Sequence, residues 1–174
     1  MKGLLVKRKQ ALTLEDLGRV IYFYACSCRH DDLLFVTMLL TGFFALLCLG
    51  ELCFPDDKSI RDWRKLVKRA SVIIHEDFYK FLLPHHKADH YFEGNHVIMH
   101  KDQFQHDPLF HFHAYLDSRD RLFLLTAPLW LTEGGQVPSR SFFTRRLGMR
   151  STVLVKRILQ KNPRFESRSR SVEK

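Results

Sequence analysis

The chain has 174 residues, of which 45% are hydrophobic, with 28 Lys and Arg against 19 Asp and Glu for a net charge of +9. That apolar fraction is enough for a core and excludes wholesale disorder, and the length suits one domain or a piece of a larger one. The charge is uneven: residues 145–174 hold ten Lys and Arg against Glu166 and Glu173, a local +8, while the other 144 residues balance to +1. A basic segment of this kind points to nucleic acid or another anionic surface.

Taken in chain order, Thr13-Leu14-Glu15-Asp16 reads as a helix N-cap with acids in the first turn, followed by Leu17, Val20, Ile21 and Tyr24 at helical spacing. Asp31-Asp32 is expected to cap a second, strongly apolar helix running to about Leu52, stopped by Pro55-Asp56-Asp57. Within it, Leu33 to Gly50 is an 18-residue run without charge, at the lower edge of a membrane span. No aromatic belt ends it. A core helix is therefore favoured over a single-pass membrane protein built on residues 33–50.

Short strands are predicted at Ala70–His75, Phe78–Leu83 and Tyr91–Met99, the last two joined by a turn at Pro84–His90. From Asp107-Pro108, the residues Leu109, Phe112, His113 and Leu116 predict an amphipathic helix ending near Arg119. Glu133-Gly134-Gly135-Gln136 reads as a turn, and Ser139 as the cap of a helix through Phe143 to about Leu147. The fold class expected is α+β, mainly helical with a small three-stranded antiparallel sheet. After Gly148 the chain becomes Arg/Ser-rich and is expected to be a disordered basic tail.

The cysteines Cys26, Cys28, Cys48 and Cys53 stand at CxC and C-x4-C spacings, which match neither a zinc ribbon nor a redox CxxC. Met1 to Arg8 is too short and too basic to hold the apolar segment of a secretory signal. A reducing compartment, nuclear or cytoplasmic rather than secreted, is the expectation.

Four blocks, "RKQALTLEDL", "LLTGFFALLCLGEL", "FLLPHHKADHYFEGN" and "DSRDRLF…LWLTEGGQVPSRSFFTRRL", together resemble the first half of a tyrosine recombinase catalytic domain. The similarity is to the DNA breaking-rejoining enzymes of Crypton-like fungal mobile elements, and it covers residues 8–147 in the right order. The resemblance implies a buried helix carrying T-G-…-R-x-x-E, whose arginine grips the scissile phosphate. Here Glu51 is present, but Cys48 occupies the arginine position, and a neutral thiol cannot offer two charge-assisted donors. The resemblance also implies a lysine at the turn between the second and third strands, the general acid toward the leaving 5′-oxygen, and Lys87 in "HHKADH" stands there.

The family's remaining groups, an H-x-x-R box and a late tyrosine nucleophile, have no counterpart: no tyrosine follows Tyr115 and no histidine follows His113. The expectation is thus an inactive recombinase remnant, with the sequence after 147 read as a frameshifted or mis-spliced product. Arg61, Arg64, Lys65, Lys68, Arg69, Arg145 and Arg146 are the candidate contacts to the DNA backbone, and self-association through uncovered core surface is expected alongside.

Nine of the ten histidines fall between His75 and His113, which raises two metal readings. His111-Phe112-His113 has the His-hydrophobe-His spacing of a metal-dependent nickase, but that site needs the pair on a strand and a later tyrosine. His85, His86 and His90 could serve a structural zinc, yet no cysteine or carboxylate cluster completes the set. No metal and no cofactor is expected.

Overall fold

A computed structural model describes residues 13–24, 26–85, 93–101 and 106–148. It is an α+β structure, mainly helical, with a three-stranded antiparallel sheet. Helix α1 spans Leu14–Tyr24 and opens on a reciprocal cap. The Asp16 amide donates to Thr13 Oγ1 at 3.1 Å, while the Asp16 carboxylate accepts from the Thr13 amide at 3.2 Å and its hydroxyl at 2.8 Å. Leu17, Val20, Ile21 and Tyr24 are all buried, as their spacing predicts.

Helix α2, His30–Phe44, is the axis of the core. Every residue from Leu34 to Thr41 is buried, so the helix is apolar all round because it is covered all round. Phe35 meets Tyr24 of α1 and Phe143, each at 5.1 Å between ring centres. Thr37 donates to the His111 carbonyl at 3.0 Å, and the Thr41 and Tyr79 hydroxyls share a hydrogen bond at 2.9 Å. Asp31 and Asp32 do not cap α2, since Arg29 holds the N-cap position without a side-chain bond. They lie in the first turn, facing the helix dipole, and bind Arg146.

The apolar run does not continue as one helix to Leu52. Ala45 closes α2, Leu46 adopts a left-handed φ of 54°, and the Leu47 amide reaches back to the Gly42 carbonyl at 3.0 Å. This is a Schellman ending with leucine where glycine is usual. A short helix α3, Leu49–Leu52, follows with Cys48 as its N-cap. Leu52 folds against α2 so closely that a Cβ at Gly42 would sit 2.9 Å from its Cδ1. Among the described residues, no helix is long and apolar enough to cross a membrane.

Strands β1 (Ile73–Ile74), β2 (Phe78–Leu83) and β3 (Asn95–His100) pair in sequence order. Tyr79, Phe81 and Leu83 alternate inward and face Met99, Val97 and Asn95, so one face of the sheet joins the core. The first strand is shorter than predicted because Arg69–Ser71 forms a 3-10 turn. The predicted β2–β3 turn and the start of the predicted third strand, residues 86–92, lie outside the described residues, as does the basic tail after 148.

Helix α4, Pro108–Phe123, starts at an Asp107 cap with proline at its first position. It runs a turn beyond Arg119, and its inner face is Leu109, Phe112, Tyr115, Leu116 and Arg119 rather than the predicted set that included His113, which is exposed. A turn through Gly135 (φ 72°) leads to α5, Arg140–Gly148.

Candidate nucleic-acid interface

Cys48 is exposed, at the mouth of the short helix α3. The Glu51 carboxylate turns back and accepts from the Cys48 amide at 2.6 Å, so the glutamate closes the helix N-terminus. Lys87 lies outside the described residues.

Arg61, Arg64, Lys65, Lys68 and Arg69 belong to one strap that crosses the molecule between two backbone anchors. At its start, the Phe54 amide donates to the Pro138 carbonyl at 2.9 Å and the Arg140 amide to the Phe54 carbonyl at 3.0 Å. At its end, the Arg69 amide donates to Ala127 and the Leu129 amide to Val67, both at 2.8 Å. Between them the chain makes two one-turn 3-10 helices, Lys58–Ile60 and Trp63–Lys65, each capped by an aspartate. Asp57 accepts from the Ser59 amide at 2.9 Å and Asp62 from the Arg64 amide at 3.0 Å.

The five cations differ in what they are tied to. Arg69 forms a forked pair with Asp120, at 2.7 Å for its shortest contact. Arg64 binds Asp62 at 2.9 Å, and these bonds hold the Asp62 carboxyl down at a pKa of about 2. Arg61 donates to the carbonyls of Pro55 and Asp56 and lies over the Phe54 ring at 5.5 Å. Lys65 and Lys68 are exposed and make no side-chain hydrogen bond or ion pair with the described residues.

On α5, Arg145 is exposed and donates to the Ser141 carbonyl, whereas Arg146 stacks over Phe142 and is bound by Asp31 and Asp32. Lys65, Lys68 and Arg145 are therefore the expected contacts that remain most available to phosphate.

Beneath the strap, α3 and Trp130 enclose a cleft of about 210 Å³ lined by Glu51, Cys53, Lys65 and Arg140, among others. Burial pushes the Cys53 thiol far up, which disfavours the thiolate a nucleophile needs. Burial also lowers Arg140, against the charges of Asp56 and Cys53. Asp56 is itself held low: burial alone would raise it, but hydrogen bonds from Ser141 and Ser139 outweigh that cost.

The tyrosines offer no substitute nucleophile within the core. The Tyr115 hydroxyl is buried, donates to the Leu129 carbonyl at 2.8 Å and accepts from the Leu131 amide at 2.9 Å. Burial raises both Tyr115 and Tyr79 well above the ordinary phenol value. His111 and His113 lie on α4 two residues apart, an offset that turns the two imidazoles to opposite sides. Burial, with His106 close by, lowers His111.

Sequence reasoning missed Arg119, which is fully buried and donates to Asp120 and to the carbonyls of Phe123, Thr126 and Pro128. It also missed His30, whose ring nitrogens bridge Ser118 Oγ and the Leu131 carbonyl, each at 2.9 Å. The hydrophobic neighbours of Arg119 in helical register were the available signal. No family model matches the chain, and neither a curated protein nor a solved structure shows significant similarity to it.

Proposed function

We propose that the chain is a degenerate fragment of a tyrosine recombinase catalytic domain that binds the DNA backbone without sequence preference and does not cut it. The observation that carries this reading is the break at residues 45–48. It brings position 48 to an exposed helix mouth with the motif glutamate folded against it, a place from which an arginine could present its fork to a phosphate. Cysteine at that position removes the charge-assisted donor, and loss of one comparable donor costs roughly 10²–10³ in rate. The helical placement of His111 and His113 weighs against the nickase reading, and the broken apolar run against the membrane reading.

Incubation with nicked suicide duplexes, followed by denaturing electrophoresis, tests the absence of cleavage. No covalent protein–DNA species is expected, from the parent chain or from Cys48→Arg, and any adduct sinks the reading. Binding is tested by anisotropy with two unrelated duplexes over a range of salt. If about five basic residues of 145–174 reach phosphates, the slope of log K against log salt is roughly −4.5. Removing 148–174 flattens most of it, whereas Lys87→Ala changes it by about one contact at most. Equal affinity and slope for the shortened chain would place the binding on the strap instead.

Self-association belongs to the same proposal. It is supported by Leu124 and Leu125, which are 72% and 97% exposed at the end of α4. Sedimentation velocity of Leu125→Ser against the parent chain tests it.

A further inference from the structure

The strap holds a side chain that phosphate binding leaves unexplained. Trp63 is 65% exposed, next to Ile60 at 55%, whereas the chain's other tryptophan, Trp130, is 3% exposed in the core. An exposed tryptophan gives up most of the burial energy its ring could gain, so its position on a constrained turn calls for a partner. The turn is constrained. Asp62 caps it, the backbone is anchored on both sides, and Trp63 rests edge-on against the buried Phe54 ring at 5.0 Å between centres.

Cations flank the ring. Arg61 lies over the same Phe54, Arg64 is adjacent in sequence, and Lys65 and Lys68 follow, exposed and without a side-chain hydrogen bond or ion pair to the described residues. The segment also contains Asp56, Asp57 and Asp62, but all three carboxylates accept hydrogen bonds from Ser141, Ser59 or Arg64. Six cations against three committed acids leave residues 56–69 at +3.

We propose that this strap is a stacking platform for single-stranded nucleic acid, with Trp63 taking an unpaired base and Lys65 and Lys68 the flanking phosphates. This rests on the nucleic-acid reading above and adds what the strand must look like. A duplex hides its base faces, whereas a single strand offers one to every aromatic ring, without sequence preference. The platform therefore prefers single strands to duplexes of the same length.

The test uses the full chain with a labelled oligothymidine and a matched duplex. The expected result is tighter binding of the single strand, with quenching of the red, solvent-exposed part of the tryptophan emission that belongs to Trp63. Trp63→Ala should weaken single-strand binding by roughly five- to a hundredfold and leave duplex binding unchanged, while Trp63→Phe keeps most of the affinity. Circular dichroism of both variants verifies folding, which an exposed side chain should not disturb. Single-strand binding untouched by Trp63→Ala overturns the platform alone. No binding to either nucleic acid overturns the parent reading and the platform together.

Discussion

Helix α2 and the strap at 54–69 are built by opposite means. α2 has no capping side chain, and it is held by burial on every side, with Phe35 and Met38 fully enclosed. The strap contributes few buried residues, and it is held by aspartate caps, backbone anchors and the Arg69–Asp120 fork. Burial is non-directional and cumulative, so it fixes the molecule's stability. Caps and forks are directional and individually small, so they set a shape while leaving Trp63, Lys65 and Lys68 exposed. Changes in the first region should therefore cost stability without touching binding, and changes in the second the reverse.

Arg119 sits on α4, the helix that packs on α2, and holds Asp120, the strap's partner through Arg69; breaking that joint should give the largest effect. Its guanidinium is fully buried and serves three carbonyls as well as Asp120. Arg119→Met strands those carbonyls and costs about 3–5 kcal/mol, the scale for removing one partner from a buried charged network. Arg119→Lys should rescue little, because a point ammonium cannot reach the same acceptors. Calorimetry or urea unfolding reads both. A loss under 1 kcal/mol for Arg119→Met would show that the strap's base does not depend on this residue. By contrast, Arg64→Ala, which removes an exposed guanidinium paired with Asp62, should fall within about 0.5 kcal/mol of the parent.

Acid provides a gentler probe of the same joint. Burial alone would raise Asp120, but hydrogen bonds from Arg69 and Arg119 outweigh it and hold its carboxyl below the ordinary value. A carboxyl depressed in the folded state stabilises fully above its unfolded pKa, about 3.9, and that contribution fades as pH falls through the folded value. The parent should thus lose stability, as pH falls below about 5 towards the folded value, more steeply than Asp120→Asn. Asp62 is depressed to about 2, yet its partner Arg64 is exposed and the pair is screened, so Asp62→Asn should flatten the acid limb far less. Parallel acid limbs for the parent and Asp120→Asn would remove Asp120 from the joint.

The contrast between the regions also explains what was legible in the sequence. α1 was readable because a cap and a helical stripe coincide at Thr13, Leu17, Val20, Ile21 and Tyr24. Strand β2 was readable because Phe78–Leu83 is a short apolar and aromatic run, broken only by Lys80 and closed by Pro84. The strap was seen only as a run of charge, because its structure depends on partners at 127–140 that local pattern does not reveal. Asp31 and Asp32 were misread as caps for the same reason, since their true partner, Arg146, lies more than a hundred residues away. His113 was misplaced on the inner face of α4 because residue type near a helical stripe does not settle which edge of the stripe is wet.

The break in the apolar run was the least legible feature, and it yields a prediction of sign rather than size. No glycine or proline stands at residues 45–48, and Leu46 takes the left-handed conformation that glycine usually supplies. For leucine that conformation costs about 1–2 kcal/mol, offset in part by the conformational freedom glycine loses on folding. Leu46 is 77% exposed, so replacing it forfeits little burial. Leu46→Gly should therefore stabilise the chain by about 0.5–1 kcal/mol, read as a rise in urea midpoint with an unchanged slope. An unbroken helix through residues 33–50 predicts the opposite sign, because glycine in a helix interior costs about 1 kcal/mol. The sign of one substitution thus distinguishes a core helix that ends before Cys48 from a continuous apolar span. A lowered midpoint would return Cys48 and Glu51 to a single long helix and remove the exposed helix mouth on which the recombinase reading rests.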